Sequence, residues 1–198
     1  MIRTVKDPLK RLQNDAIKLG ATAAKIIPIS SIVIDERVRL KCLIPLCDKY
    51  DQNLMCPPHL PSVEEFRRAI KKYSKALFVQ LAYEKRADMP KAAARRNGLR
   101  LHRIINELEG KAFSLGYPLA AGLMGGSCKL CRKCVGPGNP CRHPRMARPS
   151  MEGMGIDVIQ TAKKIGLPFD FSSGHRLFWN GLVLIDSRWP ESHKVFHG

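Results

Sequence analysis

The sequence lacks long apolar runs. No stretch approaches the roughly 18 consecutive apolar residues of a membrane span, and the opening MIRTVKDPLKRLQNDAIKLG has no apolar core of the signal-peptide kind. We therefore expect a cytoplasmic protein with no membrane contact. Thiols stay reduced in that compartment, and seven cysteines are an awkward number for a disulfide framework. Clustered cytoplasmic cysteines usually bind metal.

Motifs of nucleotide and hydrolase chemistry are also missing. There is no G-x-G-x-x-G and no P-loop, and GLMGGS is too weak a motif to bind a nucleotide by itself. Neither a G-x-S-x-G motif nor a convincing Cys–His nucleophile pair is present. Flavin and nicotinamide use are therefore not indicated, and the question of catalysis stays open at this point.

Acidic side chains are scarce: 17 Asp and Glu stand against 34 Lys and Arg, a formal charge of +17. Such an excess suits nucleic acid, an acidic protein partner or an anionic ligand. The basic residues are dispersed at helical spacing, as in EEFRRAIKKYSK, and no aromatic-rich RNA-binding motif accompanies them. A solvated surface accounts for much of the charge, so nucleic acid is a disfavoured partner. Nothing in the composition predicts an oligomeric state.

Local signals predict alternating helices and strands within one domain, residues 1–198, because this length suits one sizeable core. Asp7, Pro8 and Gly20 predict the start and end of a first helix. Ser62 and Glu65 form a capping-box pattern at the start of another. Three strands are predicted at 25–42, 75–83 and 117–126, and two further helices at 88–115 and 151–166.

The end of the chain carries a turn signal. Asn180-Gly181 between apolar runs predicts a C-terminal β-hairpin. Together the elements predict an α/β or α+β fold in which a central sheet carries flanking helices. Each cysteine group follows a predicted strand, so two cysteine-rich metal-binding loops on one sheet edge would bring the groups together.

Four of the cysteines lie within GSCKLCRKCVGPGNPC, at Cys128, Cys131, Cys134 and Cys141. Three thiols spaced by two residues, with a fourth further on, are the ligand pattern of bacterial ferredoxin-type iron–sulfur clusters. The spacing therefore predicts a [4Fe–4S] cluster. Zinc is the alternative, although its sites more often consist of two C-x2-C pairs with a longer spacer. We also expect Gly125 and Gly126 to let backbone N–H groups approach the sulfurs of such a cluster.

The other three cysteines, Cys42, Cys47 and Cys56, lie in KCLIPLCDKYDQNLMCPPHLP. Three thiols leave one coordination position, which His59, a distant residue or an exogenous ligand would fill. A second [4Fe–4S] cluster is predicted ahead of zinc, and an open iron position would be a place for chemistry. The alternative is that some of these cysteines are buried small apolar residues.

Other polar residues flank the second cysteine group. Arg142, Arg145 and Arg148 would bind an anionic substrate, stabilise a negatively charged cluster, or form a solvated surface. Ser150 and Glu152 are interpreted as helix-start residues first and as ligands only second.

The combination of the two cysteine groups resembles the predicted metal-binding family known as domain of unknown function 2284. The resemblance runs from about Lys41 to Asp186, and its most specific parts are CPPH at Cys56 and PCRHPRMARPSMEGMGID around Cys141. All seven cysteines match the family pattern. The resemblance implies metal binding at both groups and, for many members, a setting in anaerobic metabolism. It implies no particular reaction.

The leading hypothesis is a cytoplasmic iron–sulfur protein that carries electrons to an anaerobic redox enzyme, or helps to activate one, through a redox protein partner. One alternative is a zinc-stabilised binding module whose basic surface engages nucleic acid or an acidic partner. Another is an enzyme that does chemistry at an open iron site.

Overall fold

Four antiparallel strands form the central sheet of the protein. The structure, a computed structural model, describes residues 7–84, 91–169 and 176–188. The strands are β1 (Ala23–Pro28), β2 (Lys75–Glu84), β3 (Ala121–Met124) and β4 (Arg176–Ile185), in the order β1-β2-β4-β3. Every pairing is antiparallel. The predicted layered fold of sheet and helices is confirmed, and it is of the α+β type.

The helices begin and end where the sequence carries capping signals. They are α1 (Pro8–Lys18), α2 (Glu36–Leu40), α3 (Val63–Ile70), α4 (Lys91–Ser114) and α5 (Val158–Lys164). Asp7 accepts hydrogen bonds from two backbone N–H groups of α1, and Ser62 and Glu65 form the predicted capping box of α3. Two short 3-10 turns cover Ile29–Ser31 and Glu152–Met154. None of the described helices is long and apolar enough to cross a bilayer.

The sheet buries an apolar core on each face, because side chains alternate along the strands. Leu77 and Val79 of β2 point into a core formed with α1 and α4, whereas Ala76 and Phe78 point into a core formed with α3 and α5. Strand β4 alternates in the same way. The sheet is therefore the middle of three layers.

The predicted C-terminal hairpin is wrong. Asn180 and Gly181 lie inside β4, opposite Gln80 and Val79 of β2, and the strand continues through them. A Cβ atom at Gly181 would stand 2.6 Å from Cγ1 of Ile105 in α4. The glycine thus allows a helix to approach the sheet closely, and no turn is formed there.

The predicted strand at 25–42 is shorter than expected. Strand β1 ends at Pro28, and Val38 and Leu40 lie in α2. The Asp35 carboxylate accepts a hydrogen bond from the N–H of Arg37 and caps this helix. The first cysteine group therefore follows a helix and not a strand.

The predicted helix at 151–166 is divided in two. Its first part is the 3-10 turn at Glu152–Met154, which ends at Gly155 with φ of 82°. The second part is α5, which has Asp157 as its N-cap. A left-handed glycine cannot continue a right-handed helix, and this accounts for the break.

We expect Gly181→Ala to lower the free energy of unfolding by about 1–3 kcal/mol, because the added methyl group would overlap Ile105. The matched control is Gly110→Ala on the exposed face of α4, where an added Cβ meets no described atom within 4 Å. This control should raise the stability by about 0.5–1 kcal/mol. Urea denaturation of both variants measures the two effects, and equal shifts would contradict the packing argument.

Candidate metal centre

The four cysteines of the second group line one cavity, of about 950 Å³. They lie in the loop that follows β3, as predicted, and all four are free, partly exposed thiols. Burial raises the pKa of the Cys128 thiol, and the other three thiols of the group raise it further. Each thiolate would thus repel the others, so a bound cation would favour their deprotonation together.

The entry to this loop is held by backbone hydrogen bonds. Gly125 N–H donates to the carbonyl of Asn180 at 2.7 Å, and Gly126 N–H donates to Oε2 of Glu152 at 2.8 Å. Gly126 has φ of 73°, in the left-handed region that favours glycine. The N–H groups of Gly125 and Gly126 are therefore both engaged by other acceptors.

The far end of the loop is held by α4. Nε2 of His102 and Nδ2 of Asn106 both donate to the carbonyl oxygen of Met146, each at 2.9 Å. Arg148 forms two hydrogen bonds with the Glu109 carboxylate, at 2.7 and 2.8 Å. The same carboxylate accepts from the N–H of Gly122 in β3. Arg148 therefore anchors the loop, because its guanidinium is paired with the Glu109 carboxylate.

The three cysteines of the first group line a second cavity, of about 600 Å³. Burial raises the pKa of Cys56 to about 12, with further contributions from the thiols of Cys42 and Cys47 and from Glu152. Burial is also the main cause of the raised pKa of Cys42. The thiols of Cys42 and Cys56 therefore stay protonated at neutral pH, so metal binding to them would release protons.

His59 is not among the described residues that line the cavity of the first cysteine group. Its Nε2 lies 3.0 Å from Oδ1 of Asp51, an ion pair when the imidazole is protonated. The imidazole of His59 is therefore paired with Asp51, although the residue lies only three positions after Cys56. An acidic residue, Glu152, does line the cavity together with the three cysteines.

The two cysteine groups meet at the β3 edge of the sheet. Met124 N–H donates to the carbonyl of Pro149, and Ser150 N–H donates to the carbonyl of Met55, next to Cys56. In addition, the Asn53 amide donates to the carbonyl of Cys128 at 3.4 Å. Both cavities are consequently neighbours, with four lining residues in common: Asp48, Lys49, Ser127 and Lys129.

Lys129 places a positive charge in this shared wall. Its Nζ lies 2.8 Å from Oγ of Ser127 and 5.4 Å from the centre of a Trp179 ring. Burial lowers the pKa of Lys129, and Lys49 lowers it further. Sequence reasoning missed Lys129, and it interpreted Glu152 as a helix-start residue first and as a ligand only second. The position of Lys129 between two ligand-spaced cysteines was the one available signal.

The thiols line their cavities without converging on a point. Within the ranges that the structure describes, no group of three or more His, Cys, Asp and Glu side chains is arranged to hold a metal ion. Tetrahedral zinc requires sulfur atoms about 2.3 Å from one centre. Both sites are thus open, thiol-lined cavities and not preformed cages for one ion.

The comparisons with known proteins point to metal binding in general terms. A family model described as predicted metal-binding protein (DUF2284) matches residues 25–185. The comparisons with curated proteins and with solved structures found no match. The matched range includes all seven cysteines and Glu152.

We expect Arg148→Met to destabilise the metal-free protein by about 1–3 kcal/mol, because the substitution leaves the Glu109 carboxylate without its cation. This range allows for partial solvent exposure of the pair, whose side chains are 13% and 24% exposed. Arg145→Met, at an exposed position of the same loop, is the matched control and should change little. Urea unfolding of the two variants tests the anchor, and a neutral Arg148→Met would refute it.

Proposed function

Because the chain belongs to DUF2284, a family of predicted metal-binding proteins, we propose that it is an iron–sulfur protein. In this proposal a [4Fe–4S] cluster binds at the second cysteine group, Cys128, Cys131, Cys134 and Cys141. A second metal centre, a [4Fe–4S] cluster ahead of zinc, binds at Cys42, Cys47 and Cys56. The protein carries electrons to, or helps to activate, an anaerobic redox enzyme.

One observation supports this function above the others. The four cysteines with ferredoxin-type spacing line a single cavity, and the remaining three line the cavity beside it. Two redox centres in neighbouring cavities would form a short relay. A purely structural zinc site at the second group would use four ligands at one point and would leave the first group without a role.

The basic residues around the cavity of the second cysteine group suit a negatively charged cluster. Lys49, Arg95 and Lys129 line it, and Arg132 and Lys133 belong to the loop itself. Such charges offset the thiolates and favour addition of an electron. Arg132 and Lys133 are exposed, so they also present a basic surface to an acidic redox partner.

The clusters, when bound, would supply one-electron transfer. The chain's own residues do the positioning. Asn53 links the first group to the backbone at Cys128 by a hydrogen bond. The ammonium group of Lys129 places a positive charge between the two cavities. His102, Asn106 and Glu109 fix the loop that ends the second group.

The test is metal and acid-labile sulfide analysis of protein purified without oxygen, with electron paramagnetic resonance after dithionite reduction. We expect about eight irons per chain with matching sulfide, four for each cluster. Cys131→Ala should lose about four irons and the corresponding visible absorbance. Lys133→Ala, an exposed residue of the same loop, is the control and should keep the full content.

Full iron and absorbance in Cys131→Ala would reject the cluster assignment. Stoichiometric zinc without sulfide would reject the redox function and favour the zinc-stabilised binding module. Its basic surface would then be tested with nucleic acid, whose affinity should fall steeply with salt.

A further inference from the structure

The cavity of the first cysteine group contains an acid that the cysteine pattern does not include. Glu152 lies in the 3-10 turn Glu152–Met154 and lines this cavity together with Cys42, Cys47 and Cys56. We propose that Glu152 is the fourth protein ligand of the first centre, whose donors are then three thiolates and one carboxylate oxygen. This inference rests on metal binding at the first group, as proposed above.

Only one oxygen of the Glu152 carboxylate is engaged. Oε2 accepts hydrogen bonds from the N–H of Gly126 at 2.8 Å and from Oγ of Ser150 at 3.0 Å. Among the described residues, Oε1 accepts no hydrogen bond, and no Lys or Arg forms an ion pair with the carboxylate. A carboxylate held through one oxygen presents the other as a ligand of fixed orientation.

The other candidate donors near the three thiols have different partners. His59 lies beside Asp51. Asp48 forms an ion pair with Lys49 at 2.6 Å through Oδ2, and its Oδ1 lies 3.8 Å from Sγ of Cys47. Asp157 also lines the cavity, but its Oδ1 caps α5 by accepting from the N–H of Gln160 at 2.8 Å. Glu152 lines the cavity with one oxygen held by two hydrogen bonds and the other without a described partner, whereas Asp48 is paired with a lysine and the held oxygen of Asp157 caps a helix.

The proposal gives the two centres different chemistry. Four thiolates would close the second centre, whereas a carboxylate is a harder and more exchangeable ligand for iron than a thiolate. External ligands would therefore bind at the iron held by Glu152. The hydrogen bond from Gly126 also connects this ligand to the backbone two residues before Cys128.

The test compares Glu152→Gln with Asp157→Asn. Both substitutions remove one negative charge from the same cavity. Gln keeps an oxygen that can accept from Gly126 and Ser150, and Asn is an effective helix N-cap, so both variants should fold. Circular dichroism and urea unfolding of the metal-free proteins check this.

Each protein is loaded with iron and sulfide without oxygen and then exposed to mild oxidation with ferricyanide. We expect wild type and Asp157→Asn to keep their iron, whereas Glu152→Gln loses about one iron per chain. The electron paramagnetic resonance signal of a three-iron cluster should appear in Glu152→Gln alone. Iron retention and spectra in Glu152→Gln that equal those of Asp157→Asn would overturn the proposal.

The outcome for the proposed function is read separately, from wild type. If wild type binds zinc and no sulfide, the redox function fails, and zinc affinity decides the role of Glu152. If zinc affinity falls about tenfold or more in Glu152→Gln and is unchanged in Asp157→Asn, Glu152 is supported as a ligand. Equal zinc affinity in the two variants, or no metal at the first group of wild type, would overturn it.

Discussion

The close packing of α4 against the sheet is the constraint on which the rest of the structure depends. Gly122 and Gly181 leave room for Ile105, which would lie within 2.8 Å of a Cβ at either position. At this distance Glu109 reaches both the β3 backbone and Arg148. One helix therefore completes an apolar core and also anchors the loop that carries the second cysteine group.

The same packing explains why the two cysteine groups are neighbours although 71 residues separate Cys56 from Cys128. The segment after Cys141 returns to the β3 edge, where Ser150 bonds to the backbone beside Cys56. Burial there raises the pKa values of Cys42, Cys56 and Cys128, and repulsion from neighbouring thiolates raises them further. Metal cations relieve this repulsion, and the surrounding lysines and arginines contribute in the same direction.

Local signals correctly predicted the elements whose boundaries are set by residues adjacent in the sequence. The Asp7 cap, the Ser62–Glu65 capping box and the apolar run of β2 all lie where their patterns indicate. The hairpin at Asn180-Gly181 failed for the opposite reason. The dipeptide is typical of a turn, but the strand is held straight by β2 on one side and needs a glycine to admit α4. No local pattern contains either partner.

For the candidate site, the sequence by itself determined which thiols form each group, because ligand spacing is a property of a short stretch of chain. It also determined the family to which the chain belongs. Only the tertiary structure decided that the two groups border one wall, that His59 lies beside Asp51, and that Glu152 faces the first group. These relations join residues far apart in the chain, and they arise from the packing of the sheet and its loops. Spacing along the sequence carries no information about them.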